Sequence, residues 1–137
     1  MKNNPQTKSE LAFEVDEEYE LMLDDDSRSV TVLIKHDYYS SDSDHGRSLM
    51  KTMLEGLEGN ACISGILIVD SGVKILSGDN DCFSYVKDLA DQLELTPLVC
   101  SESLEVYGIA APEYVKAVTT AEFMSEVIGA DHLIVIE

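Results

Sequence analysis

Two kinds of hydrophobic pattern alternate along this chain. Runs of consecutive apolar residues, rich in valine and isoleucine, are typical of strands buried on both faces. Between them, apolar residues recur every three or four positions, as in helices with one buried face. The predicted strands are residues 30–34, 63–69, 97–100, 116–118 and 132–136. With a helix predicted after each of the first four, the pattern indicates a three-layer α/β/α domain around a mostly parallel five-stranded sheet.

The first 28 residues do not share this pattern. They hold nine acidic and three basic residues, and their apolar positions fit a two-residue period about as well as a helical one. We interpret residues 1–28 as an acidic extension, flexible or packed at an edge, and residues 29–137 as one domain. The extension is also a candidate docking tail for a basic partner.

The net charge of −18 comes from 27 acidic and 9 basic residues. Nucleic acids and anionic membranes bind clustered lysine and arginine, so neither is expected as a partner. The acidic excess serves solubility or forms an acidic docking surface. Apolar runs stay well short of the roughly 20 residues needed to span a bilayer.

The cysteines are few and scattered: Cys62, Cys82 and Cys100. An odd number without a CxxC pair argues against disulfides and for a reducing compartment, so we expect a cytoplasmic protein. The three histidines do not stand at metal-ligand spacing from these cysteines, so no metal is expected. Because the GxGxxG and P-loop patterns are absent as well, no cofactor is expected.

Cys100 is the residue that points most directly to chemistry. It ends the third predicted strand, and a predicted helix over residues 101–107 follows at once. Unpaired backbone N–H groups and the helix dipole favour negative charge there, which lowers the pKa of a thiol and makes it reactive. The alternative is a small buried hydrophobic residue, the usual state of a free cysteine.

Other polar residues are predicted at the same edge, because the carboxyl ends of parallel strands lie together. His36 and Asp37 follow the first strand, and Lys74 follows the second. His36 either faces the pocket of Cys100 or is a surface histidine. Lys74 either stabilises an anion or is simply solvated.

Three stretches together resemble the DsrE/DsrF-like sulfur-relay family, most closely the C-terminal domain of YedF-type proteins, which are sulfurtransferase-like and linked to selenium metabolism. They are residues 32–34 with Gly-Arg-Ser-Leu-Met at 46–50, Ile-Val-Asp-Ser-Gly-Val-Lys-Ile at 68–75, and Val-Cys-Ser-Glu-Ser-Leu-Glu-Val-Tyr-Gly-Ile at 99–109. The resemblance covers about residues 30–137. It implies a DsrE-like domain of flavodoxin-like architecture that assembles as a homo-oligomer, a dimer, trimer or hexamer.

The resemblance also implies a role for individual residues. Cys100 matches the cysteine that carries a persulfide in this family, and Lys74, after Gly72 and Val73, matches a family lysine. A second cysteine of the YedF-type segment is replaced here by Ser103, so a dithiol mechanism within this segment is not expected. YedF-type proteins also carry a TusA-like domain with a Cys-Pro-x-Pro motif, which residues 1–28 are too short to form.

The residues and the resemblance support two functional hypotheses. In the first, the protein accepts sulfane sulfur or selenium on Cys100 from a separate donor, such as a TusA-like carrier, and passes it to a partner. Backbone N–H groups after Ser101, including those of Glu102 and Ser103, would stabilise the anionic sulfur together with Lys74. In the second, the protein is a non-catalytic oligomeric binding module that holds a small anion or a protein partner, with Cys100 as a lining residue.

Overall fold

The computed structural model describes residues 29–137, and in this part of the chain five strands alternate with helices. The strands are Val30–Ile34 (β1), Ile63–Ile68 (β2), Leu98–Cys100 (β3), Lys116–Val118 (β4) and His132–Ile136 (β5). The α-helices are Asp44–Gly56 (α1), Phe83–Leu93 (α2), Ser101–Tyr107 (α3) and Thr120–Ile128 (α4). The extension predicted at residues 1–28 lies outside the described residues.

The five strands form one sheet in the order β4-β3-β2-β1-β5, and every neighbouring pair is parallel. This confirms the predicted α/β class with its parallel sheet. The register pairs Cys100 with Val118, the last residues of β3 and β4. The start of α4, just after β4, therefore lies beside the start of α3, and this adjacency builds the candidate site.

The two faces of the sheet are covered unequally. Residues of α1, α2 and α3, including Met50, Val86 and Leu104, pack in the large core against one face. On the other face, Phe123 of α4 packs with residues of β2, β3 and β4 in a smaller cluster. Within residues 29–137, one nine-residue helix thus covers a face shared by five strands.

The sequence predicts strands buried on both faces, and β5 departs from this. Leu133, Ile134 and Val135 are 38%, 47% and 37% exposed, whereas Ile136 is buried. Among the described residues, β5 is an edge strand that pairs with β1 alone. Leu133 and Val135 lie on the face that α4 covers, beyond the reach of this short helix. Within residues 29–137, three of the apolar side chains of β5 therefore remain partly exposed.

The segment after β2 also differs from expectation. The sequence indicates a turn followed by a short apolar piece, but residues Asp70–Leu76 form a single 3-10 helix with five buried residues. Gly72 makes this possible, because a Cβ atom there would lie 2.8 Å from the carbonyl oxygen of Ile34. The 3-10 helix is thereby held against the end of β1. Within residues 29–137, no helix combines the length and the apolar character that crossing a membrane requires.

Candidate functional site

Cys100 is the last residue of β3 and the N-cap of α3. Its side chain packs in the smaller core cluster with Leu67, Val118 and Phe123 and is 4% exposed. The predicted position at a strand-to-helix junction is therefore present in the structure. Burial of this degree also suits an inert thiol, so the polar groups around the sulfur decide its character.

The first such group is the hydroxyl of Ser103, one turn along α3. It accepts a hydrogen bond from the backbone N–H of Asp70, with a nitrogen–oxygen distance of 2.8 Å. Since the N–H occupies a lone pair of the hydroxyl oxygen, the hydroxyl proton remains available for another acceptor. Its action on the Cys100 sulfur lowers the pKa of that thiol. Ser103 thus has a hydroxyl proton that is free to act on the sulfur.

The second group is the hydroxyl of Thr120, the first residue of α4. Its oxygen lies 3.6 Å from the Cys100 sulfur. The same hydroxyl donates a hydrogen bond of 2.8 Å to Oε1 of Glu102 on α3. A continuous chain therefore runs from the buried sulfur through Thr120 to an exposed carboxylate.

These contacts set the pKa of Cys100. Burial raises the pKa, but hydrogen bonding, above all from the Ser103 hydroxyl and N–H, outweighs it, so the pKa lies below its ordinary value. Cys82 is the contrasting case, because burial and the nearby Asp81 carboxylate raise the pKa of its thiol to about 11. Two buried thiols of one chain thus differ in the direction of the pKa shift, and only Cys100 has donors to stabilise a thiolate.

A small open cavity adjoins the sulfur. It has a volume of about 270 Å³, and its lining includes Asp70, Cys100, Glu102, Ser103, Tyr107 and Thr120. Pockets for drug-sized ligands and cofactors span roughly 300–1,000 Å³. The space beside Cys100 falls below that range, so it suits a group of a few atoms better than a bound cofactor.

Tyr107 lines the outer side of this cavity, and Lys74 lies behind the Tyr107 ring. The Tyr107 hydroxyl donates to Oδ1 of Asp70 at 3.0 Å, and this hydrogen bond raises the pKa of the phenol. The ammonium nitrogen of Lys74 lies 5.2 Å from the centroid of the Tyr107 ring, within cation–π range. Lys74 is therefore separated from the sulfur by a side chain and does not line the cavity.

The remaining predicted residues lie on α3, on the 3-10 helix or in the segment after β1. Ser101 begins α3 and is half-buried, while Gly72 and Val73 hold the 3-10 helix against the core. Nδ1 of His36 lies 2.9 Å from the Ser71 hydroxyl, and the His36 ring stacks on Tyr38.

Asp37 lines a different cavity of about 340 Å³ together with Cys82 and Arg47. His36 and Asp37 are thus not brought to the sulfur, whereas Ser103 and Glu102 are. No group of three or more His, Cys, Asp or Glu side chains within residues 29–137 is placed to hold a metal ion.

Thr120 contacts the sulfur, although the sequence did not single it out. It lies within the capping box of α4, in which Thr119 and Glu122 exchange hydrogen bonds, so the sequence pattern around Thr120 indicates a helix start rather than a site. Thr120 reaches Cys100 because β4 is the sheet neighbour of β3. Strand order would have identified it, since the residues that follow two adjacent parallel strands share one edge.

No protein-family model matches the sequence. No curated protein matches it either. Among solved structures, the YchN protein from E. coli aligns with a TM-score of 0.57 at 12% identity, covering 80% of this chain and 99% of that one. A conserved protein of unknown function from Bacteroides thetaiotaomicron aligns with a TM-score of 0.54 at 13% identity, covering 80% and 96%.

The chain has a DsrE-like fold. At 12–13% identity the likeness extends to the fold alone. Within a DsrE-like domain, the chemistry of this chain has to be argued from its own side chains.

Proposed function

We propose that this protein is a sulfur-relay protein, which accepts sulfane sulfur or selenium on Cys100 and passes it to a partner. The observation that carries the proposal is the contrast between its two buried thiols. Burial raises the pKa of Cys82, whereas hydrogen bonds lower that of Cys100 and a small cavity adjoins its sulfur. The DsrE-like fold is consistent with a relay but does not by itself specify the chemistry.

The proposed loading step is thiol–persulfide exchange. The Cys100 thiolate attacks the outer sulfur of a donor persulfide, R–S–SH; a new S–S bond forms on Cys100, the donor's S–S bond breaks, and the donor leaves as R–S⁻. In the second step, an acceptor thiolate attacks the outer sulfur of the Cys100 persulfide and regenerates the Cys100 thiolate. No external oxidant is needed, because the zero-valent sulfur atom is transferred intact.

The residues around the Cys100 sulfur would each support this exchange. The Ser103 hydroxyl and the N–H groups of Glu102 and Ser103 donate to the anionic sulfur. The cavity of about 270 Å³ holds one extra sulfur or selenium atom. With Ser103 in place of a second cysteine, the acceptor thiol comes from another molecule. We therefore propose separate donor and acceptor proteins in the cytoplasm, with a TusA-like carrier as the type of donor.

Mass spectrometry of the intact protein tests the proposal. After incubation with a small persulfide donor and removal of excess reagent, we expect a mass increase of one sulfur atom that Cys100→Ser abolishes. Cys82→Ser is the matched control, since it removes a buried thiol without the donors of Cys100, and it should load normally. Loading that persists in Cys100→Ser would exclude the relay and favour the alternative of a non-catalytic binding module.

We also propose that the subunit assembles with copies of itself through β5. The proposal rests on the exposed Leu133, Ile134 and Val135 and on the outer edge of β5, with which no strand of residues 29–137 pairs. Two copies of one edge strand related by a two-fold axis pair antiparallel, which satisfies both backbones and covers identical apolar side chains.

Light scattering after size exclusion tests this assembly. Ile134→Lys should shift the wild-type oligomer to the monomer mass. Met53→Lys, which changes an exposed apolar residue of α1, should leave the oligomer intact. A monomeric wild type would exclude the assembly.

A further inference from the structure

The hydroxyl groups of Ser103 and Thr120 flank the Cys100 sulfur. They differ in whether the hydroxyl proton is free or already donated to another acceptor. Ser103 accepts from the Asp70 N–H, so its proton is free for the sulfur. Thr120 donates its only hydroxyl proton to Glu102 at 2.8 Å, while its oxygen lies 3.6 Å from the sulfur. In this arrangement Thr120 presents a lone pair to Cys100. A lone pair accepts the S–H of a thiol but does nothing to stabilise a thiolate.

The competition between Glu102 and the sulfur for this proton is uneven. A carboxylate forms shorter and stronger hydrogen bonds with hydroxyl groups than neutral acceptors do. The distance of 2.8 Å between the Thr120 hydroxyl oxygen and Oε1 of Glu102 is that of a fully formed O–H···O hydrogen bond. As long as Glu102 is a free anion, Thr120 therefore remains turned away from the sulfur.

We propose that Glu102 is a positioning residue that restrains Cys100 by holding the Thr120 proton. Pairing of Glu102 with a cationic side chain of the protein that exchanges sulfur releases this proton to the sulfur. The inference rests on the proposed relay function, since it describes how the relay thiol becomes more reactive when a partner docks. A released Thr120 becomes a second hydroxyl donor to the thiolate beside Ser103, which raises the thiolate fraction at neutral pH.

The location of Glu102 fits this role. Its carboxylate is exposed at the mouth of the cavity, so a partner can reach it while the sulfur stays buried. The chain carries a net charge of −18, and a field of this sign favours approach of positively charged surfaces. The same field disfavours small anionic sulfur donors.

None of the other described groups around the sulfur can take the role of Glu102. From the 3-10 helix, Asp70 faces the cavity, but its carboxylate accepts from Tyr107. From α3 come Glu102 and Tyr107, and α4 contributes the uncharged Thr120. The strand neighbours β2 and β4 pack apolar side chains against Cys100. Among these described groups, Glu102 is the charged one bonded to a hydroxyl that touches the sulfur.

The test measures alkylation of Cys100 by iodoacetamide against pH, in variants of the full chain that lack Cys62 and Cys82. Glu102→Gln should lower the apparent pKa and accelerate alkylation at pH 7 by about three- to tenfold, since one pKa unit corresponds to tenfold in thiolate at pH values below the pKa. Glu105→Gln, which neutralises an exposed acid of the same helix, should change the rate less than twofold. Hexa-arginine peptide at low salt should accelerate the wild type but not Glu102→Gln.

A double-mutant cycle separates proton release from a charge effect through space. In the Thr120→Val background, Glu102→Gln should change the rate less than about twofold, because the hydroxyl that transmits its effect is gone. Thr120→Ser, which keeps the hydroxyl, should restore the full response and shows that Thr120→Val acts through that group. Equal acceleration with and without the hydroxyl, or no acceleration by Glu102→Gln, overturns the proposal.

The outcome is independent of persulfide loading. If the double-mutant cycle gives the expected result but Cys100 does not load sulfur, the relay function is excluded, whereas the control of Cys100 reactivity by Glu102 is supported. If Cys100 loads sulfur and Glu102→Gln has no effect, the relay stands without this restraint.

Discussion

The backbone N–H of Asp70 donates a 2.8 Å hydrogen bond to the Ser103 hydroxyl, which joins the 3-10 helix to α3 beside Cys100. Asp70 adopts a left-handed conformation with φ of 56°, which directs its N–H toward α3 and its carboxylate toward Tyr107. The loop after β2 thus fixes the donor that faces the sulfur at the end of β3. The left-handed backbone of Asp70 and the reactivity of Cys100 are therefore linked through the Ser103 hydroxyl.

Ser103→Ala should slow alkylation of Cys100 at pH 7, because loss of the hydroxyl donor raises the pKa of the thiol. It should also cost about 1–3 kcal/mol of stability, since the Asp70 N–H loses its acceptor. Ser101→Ala is the control, because its hydroxyl is not among the donors to the sulfur, and it should leave the alkylation profile in place. An unchanged pH profile in Ser103→Ala would show that the hydroxyl does not act on the sulfur.

Asp70 should tolerate asparagine far better than alanine. Asparagine and aspartate adopt left-handed backbone conformations at lower cost than other non-glycine residues. Urea unfolding should place Asp70→Asn within about 0.5 kcal/mol of the wild type and Asp70→Ala about 1–2 kcal/mol below it. Asp81→Ala, an exposed acid with an ordinary φ, serves as the control. Equal stability of the two Asp70 variants would contradict a role for the positive φ.

Cys82 should make the protein less stable in alkaline solution. Its folded-state pKa is about 11 against an ordinary value of 9.0, so the folded state keeps a proton that the unfolded state loses between these values. The corresponding stability is fully present below pH 9 and is lost as the pH rises toward 11, by up to roughly 3 kcal/mol. Urea unfolding across this window should show a shallower decline for Cys82→Ala. Parallel declines would remove the buried thiol as the cause.

Gly72→Ala should destabilise the protein by roughly 1–3 kcal/mol, because the added methyl group meets the carbonyl oxygen of Ile34 at 2.8 Å and a backbone atom has to move. Gly56→Ala is the matched control, since nothing lies within 4 Å of its Cβ position. That substitution should be neutral or stabilising by up to about 1 kcal/mol. The difference between the two unfolding midpoints measures the close approach at Gly72.

The alternation of apolar runs and helical periodicity was sufficient to predict the parallel α/β class, because residues 30–34 or 132–136 can satisfy their pattern only as strands in a sheet. Helix ends that depend on local chemistry, such as the capping box of α4 and Gly108 after α3, can likewise be read from the sequence. The 3-10 helix at Asp70–Leu76 was not, because its geometry depends on a contact between Gly72 and the distant Ile34.

Sequence alone therefore determined that Cys100 stands at a strand-to-helix junction, and that Ser103 occupies the position one turn further on. Only the tertiary structure decided which partners the sulfur has. Thr120 is 20 residues away and Asp70 lies in another loop, and both reach the site because β4 and β2 flank β3 in the sheet. Strand order is a property of the whole packed domain rather than of any one segment, and through it the thiol acquires its donors and its restraint.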